Sequence, residues 1–290
     1  MSSITGRLFV VFQYLLTRKL LTSLVFRLAR IESQGCKNFL IRRFVSLYNI
    51  DISELDKTVP DDYPSLNAFF TRELAAGSRP ISGDLNSIVS PVDGTVSAAG
   101  PIEDDMVFQA KGRRYSLGDL LAADLQDVDT YRNGLFTTIY LAPYNYHRVH
   151  APLGGRLHTA RYVPGDLFSV NGATATHMDA LFARNERLVC HFDGEHGPYV
   201  LVFVGALNVG SITTPWTGEI RPRTSGVPED IALDDSAASL NVSAGDLLGW
   251  FNMGSTVIVL LPQQSAAWNS SLEGGATVRM GELIGSRIDA

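Results

Sequence analysis

The chain has 290 residues, 45% of them hydrophobic, and a formal net charge of −6. One large domain or two small ones can bury a core at this length, and neither an internal repeat nor a low-complexity tract interrupts it. The acidic balance does not favour nucleic acid as a partner, and the two cysteines, Cys36 and Cys190, supply no disulfide framework and no spaced metal motif, so a reducing compartment is the default.

The amino end departs from that acidic average. Residues 1–43 hold Arg7, Arg18, Lys19, Arg27, Arg30, Lys37, Arg42 and Arg43 against one acid, Glu32. Leu8, Phe12, Leu16, Leu20, Leu24 and Leu28 recur every fourth residue, which predicts a helical apolar stripe flanked by cations. Such a helix suits a membrane interface with its cations near anionic headgroups; packing on the protein's own core is the competing reading. The stretch is a poor signal peptide, because Arg18-Lys19 follows without a small-residue cleavage site. No run approaches the roughly 20 apolar residues of a membrane-spanning helix.

Next, Asp51-Ile52-Ser53-Glu54-Leu55 has the look of a helix start. Residues 63–74 read as a short helix, capped by Ser65 and docked by Phe69 and Phe70, and Gly77-Ser78-Arg79-Pro80 breaks it. From about residue 86, β-branched runs alternate with Gly, Pro and Asp turns: 88–90, 94–97, 136–141, 188–192, 199–204 and 257–261. Helical inserts are predicted at 116–123 and 174–184, and 221–240 reads as a polar surface loop. The expected fold class is α+β. Amphipathic helices occupy residues 1–60, and a β-rich body of sandwich or hybrid-motif type occupies 61–290.

Three places carry groups that could do chemistry. Ser90-Pro91-Val92-Asp93-Gly94-Thr95-Val96 is a hairpin signal that also offers a carboxylate, Asp93. Tyr146-His147-Arg148-Val149-His150 places two of six histidines within four residues, between Pro143 and Pro152. No Cys, His or Glu lies near them at familiar metal-ligand spacing, so no metal is expected. Gly254-Ser255-Thr256 sets a serine where a flexible turn becomes the buried strand 257–261. Asp93, His150 and Ser255 together supply the parts of a carboxylate–imidazole–hydroxyl relay.

The same landmarks carry a resemblance. Asn67-Ala68-Phe69-Phe70-Thr71-Arg72-Glu73-Leu74 with Arg79-Pro80-Ile81, then Pro91-Val92-Asp93-Gly94, Tyr146 to Pro152, Leu181-Phe182-Ala183-Arg184-Asn185-Glu186-Arg187, Val204-Gly205-Ala206 and Gly254-Ser255-Thr256 resemble, in this order, the phosphatidylserine decarboxylase family. The basic amino end resembles that of its membrane-associated bacterial members. Met253, where the family has Leu or a bulkier apolar residue, and Ala244 to Gly249, in place of a Lys-Gly-Glu-like stretch, are departures.

The resemblance implies a proenzyme that cuts itself between Gly254 and Ser255 into a β chain, 1–254, and an α chain, 255–290. Ser255 would become a covalent pyruvoyl group. His150, held by Asp93, would take the Ser255 proton, and His147 would act as acid or base in decarboxylation. Tyr146 and Arg148 are candidates for substrate contact. The implied reaction turns phosphatidylserine into phosphatidylethanolamine and CO2, at the cytoplasmic face of the cell membrane, on a peripheral enzyme whose two chains stay together and could pair as a homodimer. Two other readings use the same residues: a serine hydrolase built on Ser255, His150 and Asp93, and a non-catalytic hybrid-motif binding domain.

Overall fold

The computed structural model describes residues 3–15, 17–123, 125–195, 197–208, 211–223, 226–234 and 237–288. Three helices open the chain: α1 (Ser3–Leu15), α2 (Arg18–Ala29) and α3 (Gln34–Tyr48). α1 and α2 meet at 86°, so the apolar stripe runs over two helices rather than one; Leu16 lies outside the described residues. Leu8, Phe12, Leu20, Leu24 and Leu28 all face outward and are exposed. The inner side is held by a few buried groups. Gln13 is fully buried, its amide donates to Thr174 Oγ1 at 3.0 Å, and its carbonyl oxygen accepts from the Ser169 N–H at 2.8 Å. Among the described residues no single helix is long and apolar enough to cross a membrane, although α1 and α2 together pass on length and composition.

α3 packs against α4 (Leu66–Phe70), where Ser65 caps the helix by accepting from the Ala68 N–H at 3.2 Å. Ile41, Ile50, Tyr63, Leu66 and Phe69 form a small core of their own, with Met253 packed on it. Residues 51–55 are turns instead of the expected helix start. Asp51 Oδ1 takes both the Ser53 N–H, at 2.9 Å, and the Ser53 hydroxyl, at 2.7 Å, and this local bonding competes with a helix.

The body is β-rich, as the alternation of short runs requires. Its largest sheet runs Glu229–Asp230, Gly155–Val163, Arg187–Gly194, Gly197–Val204, Thr256–Leu261, Leu135–Tyr140, Gly94–Pro101 and Thr277–Val278, with Asn241–Val242 added beside Gly155–Val163. The strand Thr256–Leu261 lies in the middle, paired antiparallel on both sides, and each of its six residues is buried. That is why its sequence is unbroken and apolar instead of alternating; each large side chain buried there contributes on the order of 2 kcal/mol.

A four-stranded sheet lies next to it in the order Gly218–Ile220, Ser211–Thr214, Leu247–Asn252 and Arg148–His150. The chain therefore leaves one sheet at Asn252 and enters the centre of another at Thr256. Asp93-Gly94 is not a hairpin turn. It joins Ser87–Val89, which belongs to a third sheet with Leu283–Arg287 and Ala266–Trp268, to Gly94–Pro101 in the large one. The predicted helix 174–184 is two short helices, Gly172–His177 and Leu181–Arg184, because Ala180 adopts a left-handed φ of 50° between them.

Candidate active site

The junction between the two sheets is pinned at both ends. On one side Asn252 donates to Ser211 Oγ and Thr213 Oγ1, each at 2.8 Å, and accepts from the Asn67 amide at 2.9 Å. On the other, the Ser255 carbonyl accepts from the Leu141 N–H at 2.7 Å. Between these anchors Met253 and Gly254 both have left-handed backbone, with φ of 84° and 47°. A methionine in that region costs of the order of 1–3 kcal/mol, so the peptide segment just before Ser255 is held under strain.

Ser255 is buried, and its hydroxyl donates to the Val204 carbonyl. It borders a cavity of about 150 Å³ whose walls include Phe44 and Tyr48 of α3, Phe70, Tyr140 and Val170. Helix α3 thus completes the wall around this serine.

His147 stands directly against Gly254. A Cβ built on Gly254 would lie 2.9 Å from His147 Nε2 and 3.3 Å from Phe70 Cζ, so a residue with a side chain does not fit without movement. The imidazole is fully buried and packs on Phe70 with ring centroids 4.0 Å apart. Its Nδ1 lies 2.8 Å from the Asn145 carbonyl, which makes Nδ1 the protonated nitrogen and leaves the Nε2 lone pair towards Gly254. Nε2 has no hydrogen-bond partner among the described residues. Burial, and then the nearby Arg72 cation, push the His147 pKa down to about 3, so the ring is neutral. Arg72 is itself buried and donates from Nη2 to the carbonyls of Tyr144 and Asn145, at 3.1 and 3.3 Å. The same Asn145 oxygen thus receives both Arg72 and His147.

His150 sits elsewhere. Its Nδ1 donates to the Gly245 carbonyl at 2.7 Å, and its Nε2 accepts from the Tyr146 hydroxyl at 3.0 Å. Burial lowers its pKa as well, and burial pushes Tyr146 up to about 12, so the phenol keeps its proton and remains a donor. His150, Tyr146 and Arg148 border a second cavity, of about 270 Å³, with Arg79 and Met280 on its wall. Arg148 donates from Nε to the Thr71 carbonyl at 3.0 Å, pairs with Glu73 at 2.9 Å and lies 5.2 Å from the Trp250 ring.

Asp93 is held by Arg79, with Nε and Nη2 at 2.9 and 2.6 Å from its two oxygens, and by the Met280 N–H at 2.8 Å. Arg79 also reaches Glu54 with a second pair of bonds, at 3.0 and 2.9 Å. Its guanidinium is raised well above its ordinary pKa, chiefly by the hydrogen bonds it donates to Asp93. The loop of Asp93 and the strand of His150 are joined through backbone, His150 N–H to Pro91 carbonyl at 2.8 Å.

The expected relay residues therefore fall into two groups. Asp93 and His150 belong to one neighbourhood, where His150 feels the Asp93 charge without hydrogen bonding to it. Gly254, Ser255 and His147 belong to the other, and no hydrogen bond among the described residues joins Ser255 to either His150 or Asp93. Sequence reasoning gave no role to Arg72, Arg79 or Asn252. Arg72 and Arg79 stand in the sequence only as letters within the stretches that carry the family resemblance, and their partners lie in segments that only the fold brings together.

Comparison with known proteins adds independent findings. The family model described as Phosphatidylserine decarboxylase matches residues 66–286, and one described as PSD matches residues 8–49. The chain is similar to a protein of Alcanivorax borkumensis named Phosphatidylserine decarboxylase proenzyme, 44% identical over 98% of this chain and 97% of that protein. Proteins with the same name from Delftia acidovorans, 44% identical over 99% of this chain and all of that one, and from Nitrosococcus oceani, 42% identical over 96% and 91%, are similar along their length too.

Proposed function

This chain belongs to the phosphatidylserine decarboxylase family, and on that footing we propose that it cuts itself between Gly254 and Ser255 and then converts phosphatidylserine to phosphatidylethanolamine and CO2. The observation that carries the reading is the strained Met253-Gly254 bridge, anchored at both ends, with a buried serine at its end and a neutral imidazole against its glycine.

For self-cutting, Ser255 Oγ attacks the Gly254 carbonyl carbon, the Gly254–Ser255 C–N bond breaks, and the amide becomes an ester. Elimination across the Ser255 Cα–Cβ bond then releases the Gly254 carboxylate and residues 1–254. Tautomerisation and hydrolysis of the new amino end release ammonia and leave a ketone on the chain 255–290. A base must take the Ser255 proton first. We assign this to His150, with Asp93 stabilising the imidazolium that forms. His150 Nε2 now accepts from Tyr146, so its ring must leave Tyr146, or act through an intervening water, to reach Ser255. Arg79 and the Met280 N–H keep the Asp93 carboxylate in place meanwhile.

The pyruvoyl ketone supplies an electron sink for the pair left behind when CO2 departs. Position 255 fits such a group: it is buried, it opens on a cavity, and its neighbour has no side chain to block approach. To His147 we assign the exchange of a proton with the substrate carbon. Its Nε2 is unpaired and buried beside Gly254, and the Asn145 carbonyl fixes the tautomer. Tyr146 and Arg148 lie in the other cavity, and a role in holding the headgroup requires substrate to reach that side. The outward Leu8, Phe12, Leu20, Leu24 and Leu28 with the flanking cations support a peripheral attachment of residues 1–60 to the cytoplasmic membrane face, and with it access to a lipid substrate.

Intact-protein mass spectrometry tests the class. Two fragments ending and beginning at 254 and 255, the shorter with a blocked amino end, are expected, together with CO2 release from phosphatidylserine. Ser255→Ala should remain one chain and release none. A wild-type chain that stays whole and liberates no CO2 overturns the reading.

A further inference from the structure

Helix α2 seats on the body along one face. Thr22 is buried and its hydroxyl accepts from the Asn208 N–H at 3.2 Å, while Arg18 grips Asp166 with bonds of 2.9 and 2.7 Å. Lys19 Nζ donates to the Arg223 carbonyl at 3.3 Å. Beside this seam lies a cavity of about 320 Å³, which shares no lining residue with the cavity of Ser255. Three cations surround it, Lys19, Arg27 and Arg221, over an apolar floor of Phe26 and Leu167. The Arg221 guanidinium lies 4.8 Å from the centre of the Phe26 ring.

The charges around this cavity do not cancel. Asp166 is taken up by Arg18, and Glu219 is shared between Arg30 and the more distant Arg221, at 3.6 Å. Glu186, under Lys19, is raised to about 7, first by burial, so it supplies at most part of a charge at neutral pH. The Arg27 side chain makes no hydrogen bond or ion pair among the described residues. The exposed Arg27, beside an Arg221 that only shares Glu219, leaves positive charge over a concave apolar floor, which attracts an anion that also carries apolar surface. The next row of α2 supplies that surface: Leu20, Leu24 and Leu28 are exposed one position along from Lys19, Ser23 and Arg27.

We propose that this cavity binds the phosphodiester headgroup of an anionic phospholipid, whose chains lie along the Leu20, Leu24 and Leu28 row, at a site separate from the one that performs chemistry. The proposal rests on the membrane-facing reading of the amino-terminal helices. Leu167, on its floor, is also two residues from Ser169, which borders the Ser255 cavity, so an occupied headgroup site holds the loop that edges the catalytic one.

The test compares two double variants of the full chain, each losing two charges. Arg27→Gln with Arg221→Gln alters the cavity; Arg42→Gln with Arg43→Gln removes exposed cations from α3. Binding to phosphatidylcholine vesicles with and without phosphatidylglycerol is measured, and thermal midpoints establish that both variants are folded. Diffuse attraction to an anionic surface is worth about 1 kcal/mol for each cation near it, and predicts equal losses in the two variants. A headgroup site predicts that the cavity variant loses at least roughly tenfold more affinity than the α3 variant, about 1.4 kcal/mol, and that Arg27→Lys with Arg221→Lys recovers most of it. Soluble glycerol phosphate should compete with vesicles for the wild type.

Equal losses in the two variants overturn the site while leaving membrane attachment intact. Wild-type protein that ignores phosphatidylglycerol vesicles overturns the attachment as well. Binding of inorganic phosphate that depends on Arg27 and Arg221, with no excess loss on vesicles, identifies a free-phosphate site and also overturns the proposal.

Discussion

His147 and His150 are three residues apart and live in different chemistry. His147 is fully buried beside Gly254, with an unpaired Nε2 and a pKa near 3. His150 is less buried, has both nitrogens engaged, and borders a cavity shared with Tyr146 and Arg148. The difference arises because His150 is in a strand that pairs with Leu247, while His147 precedes that strand in a turn folded back on Phe70. A spacing that suggests one shared site in the sequence thus delivers two sites. One imidazole is buried against Gly254; the other is held by hydrogen bonds to Tyr146 and the Gly245 carbonyl.

Removing each ring separately is the strongest way to break this comparison. His150→Ala should leave the chain uncut, so that a gel shows one band and no activity follows. His147→Ala should still cut, at least in part, but lower CO2 release by about 10²–10⁴-fold, the usual worth of a positioned general acid or base. Turnover at the wild-type rate in cut His147→Ala protein removes His147 from the mechanism. Prompt cutting of His150→Ala transfers the role of base to His147, which already stands at the junction.

Gly254→Ala tests the His147 side. Its Cβ meets His147 Nε2 at 2.9 Å, and the left-handed φ adds strain of about 1–2 kcal/mol for a residue with a side chain. Cutting should slow by roughly five- to thirtyfold, and Gly254→Ala with His147→Gly should recover part of that loss. If the double variant cuts no faster, the contact with His147 is not what limits the single one.

Tyr146→Phe tests the His150 side, and the sign is the informative part. If His150 must leave Tyr146 to reach Ser255, deleting the phenol frees it, and cutting accelerates by up to about fivefold, the value of one hydrogen bond of about 1 kcal/mol. Slower cutting means that Tyr146 orients the ring for the reaction.

How much of this could be read in the sequence follows from the same contrast. The strand 257–261 declared itself, because a strand paired on both sides and buried on both faces needs no polar alternation. The Ser65 cap was visible because a capping bond is local. Asp93-Gly94 read as a hairpin because its letters are those of one. What overrides them is distant: Arg79 and the Met280 N–H capture the carboxylate across the fold. The residue types of the candidate site were therefore visible, but their division was not. Asp93 and His150 ended on one side, Ser255 and His147 on the other, because pairing and sheet membership, which no local spacing encodes, set the distances. Arg72 and Asn252 escaped notice for the same reason, since each acts through contacts 72 to 73 and 39 to 41 residues away.

The smallest effect concerns stability, and it sets the two histidines apart by titration. The His147 value of about 3 lies below the ordinary value of 6.5, so the folded chain refuses a proton that the unfolded chain accepts. Above about pH 6.5 the ring is neutral in both states and contributes no pH dependence. As pH falls from there towards 3, stability is lost, at up to about 1.4 kcal/mol per pH unit for a single such group. His150 is shifted in the same direction and adds to the slope. Glu54, lowered by its hydrogen bonds from Arg79, loses its contribution only below its ordinary carboxylate range, so it does not mask the window. The measurement is a urea midpoint series between about pH 7 and pH 5, on the uncut Ser255→Ala chain so that one polypeptide unfolds. In that background His147→Phe, which keeps a ring against Phe70, should remove close to one proton's worth of slope and leave the part due to His150. An unchanged slope would mean that the His147 ring is open to solvent protons in the folded chain, and the buried, neutral imidazole at the junction would no longer describe it.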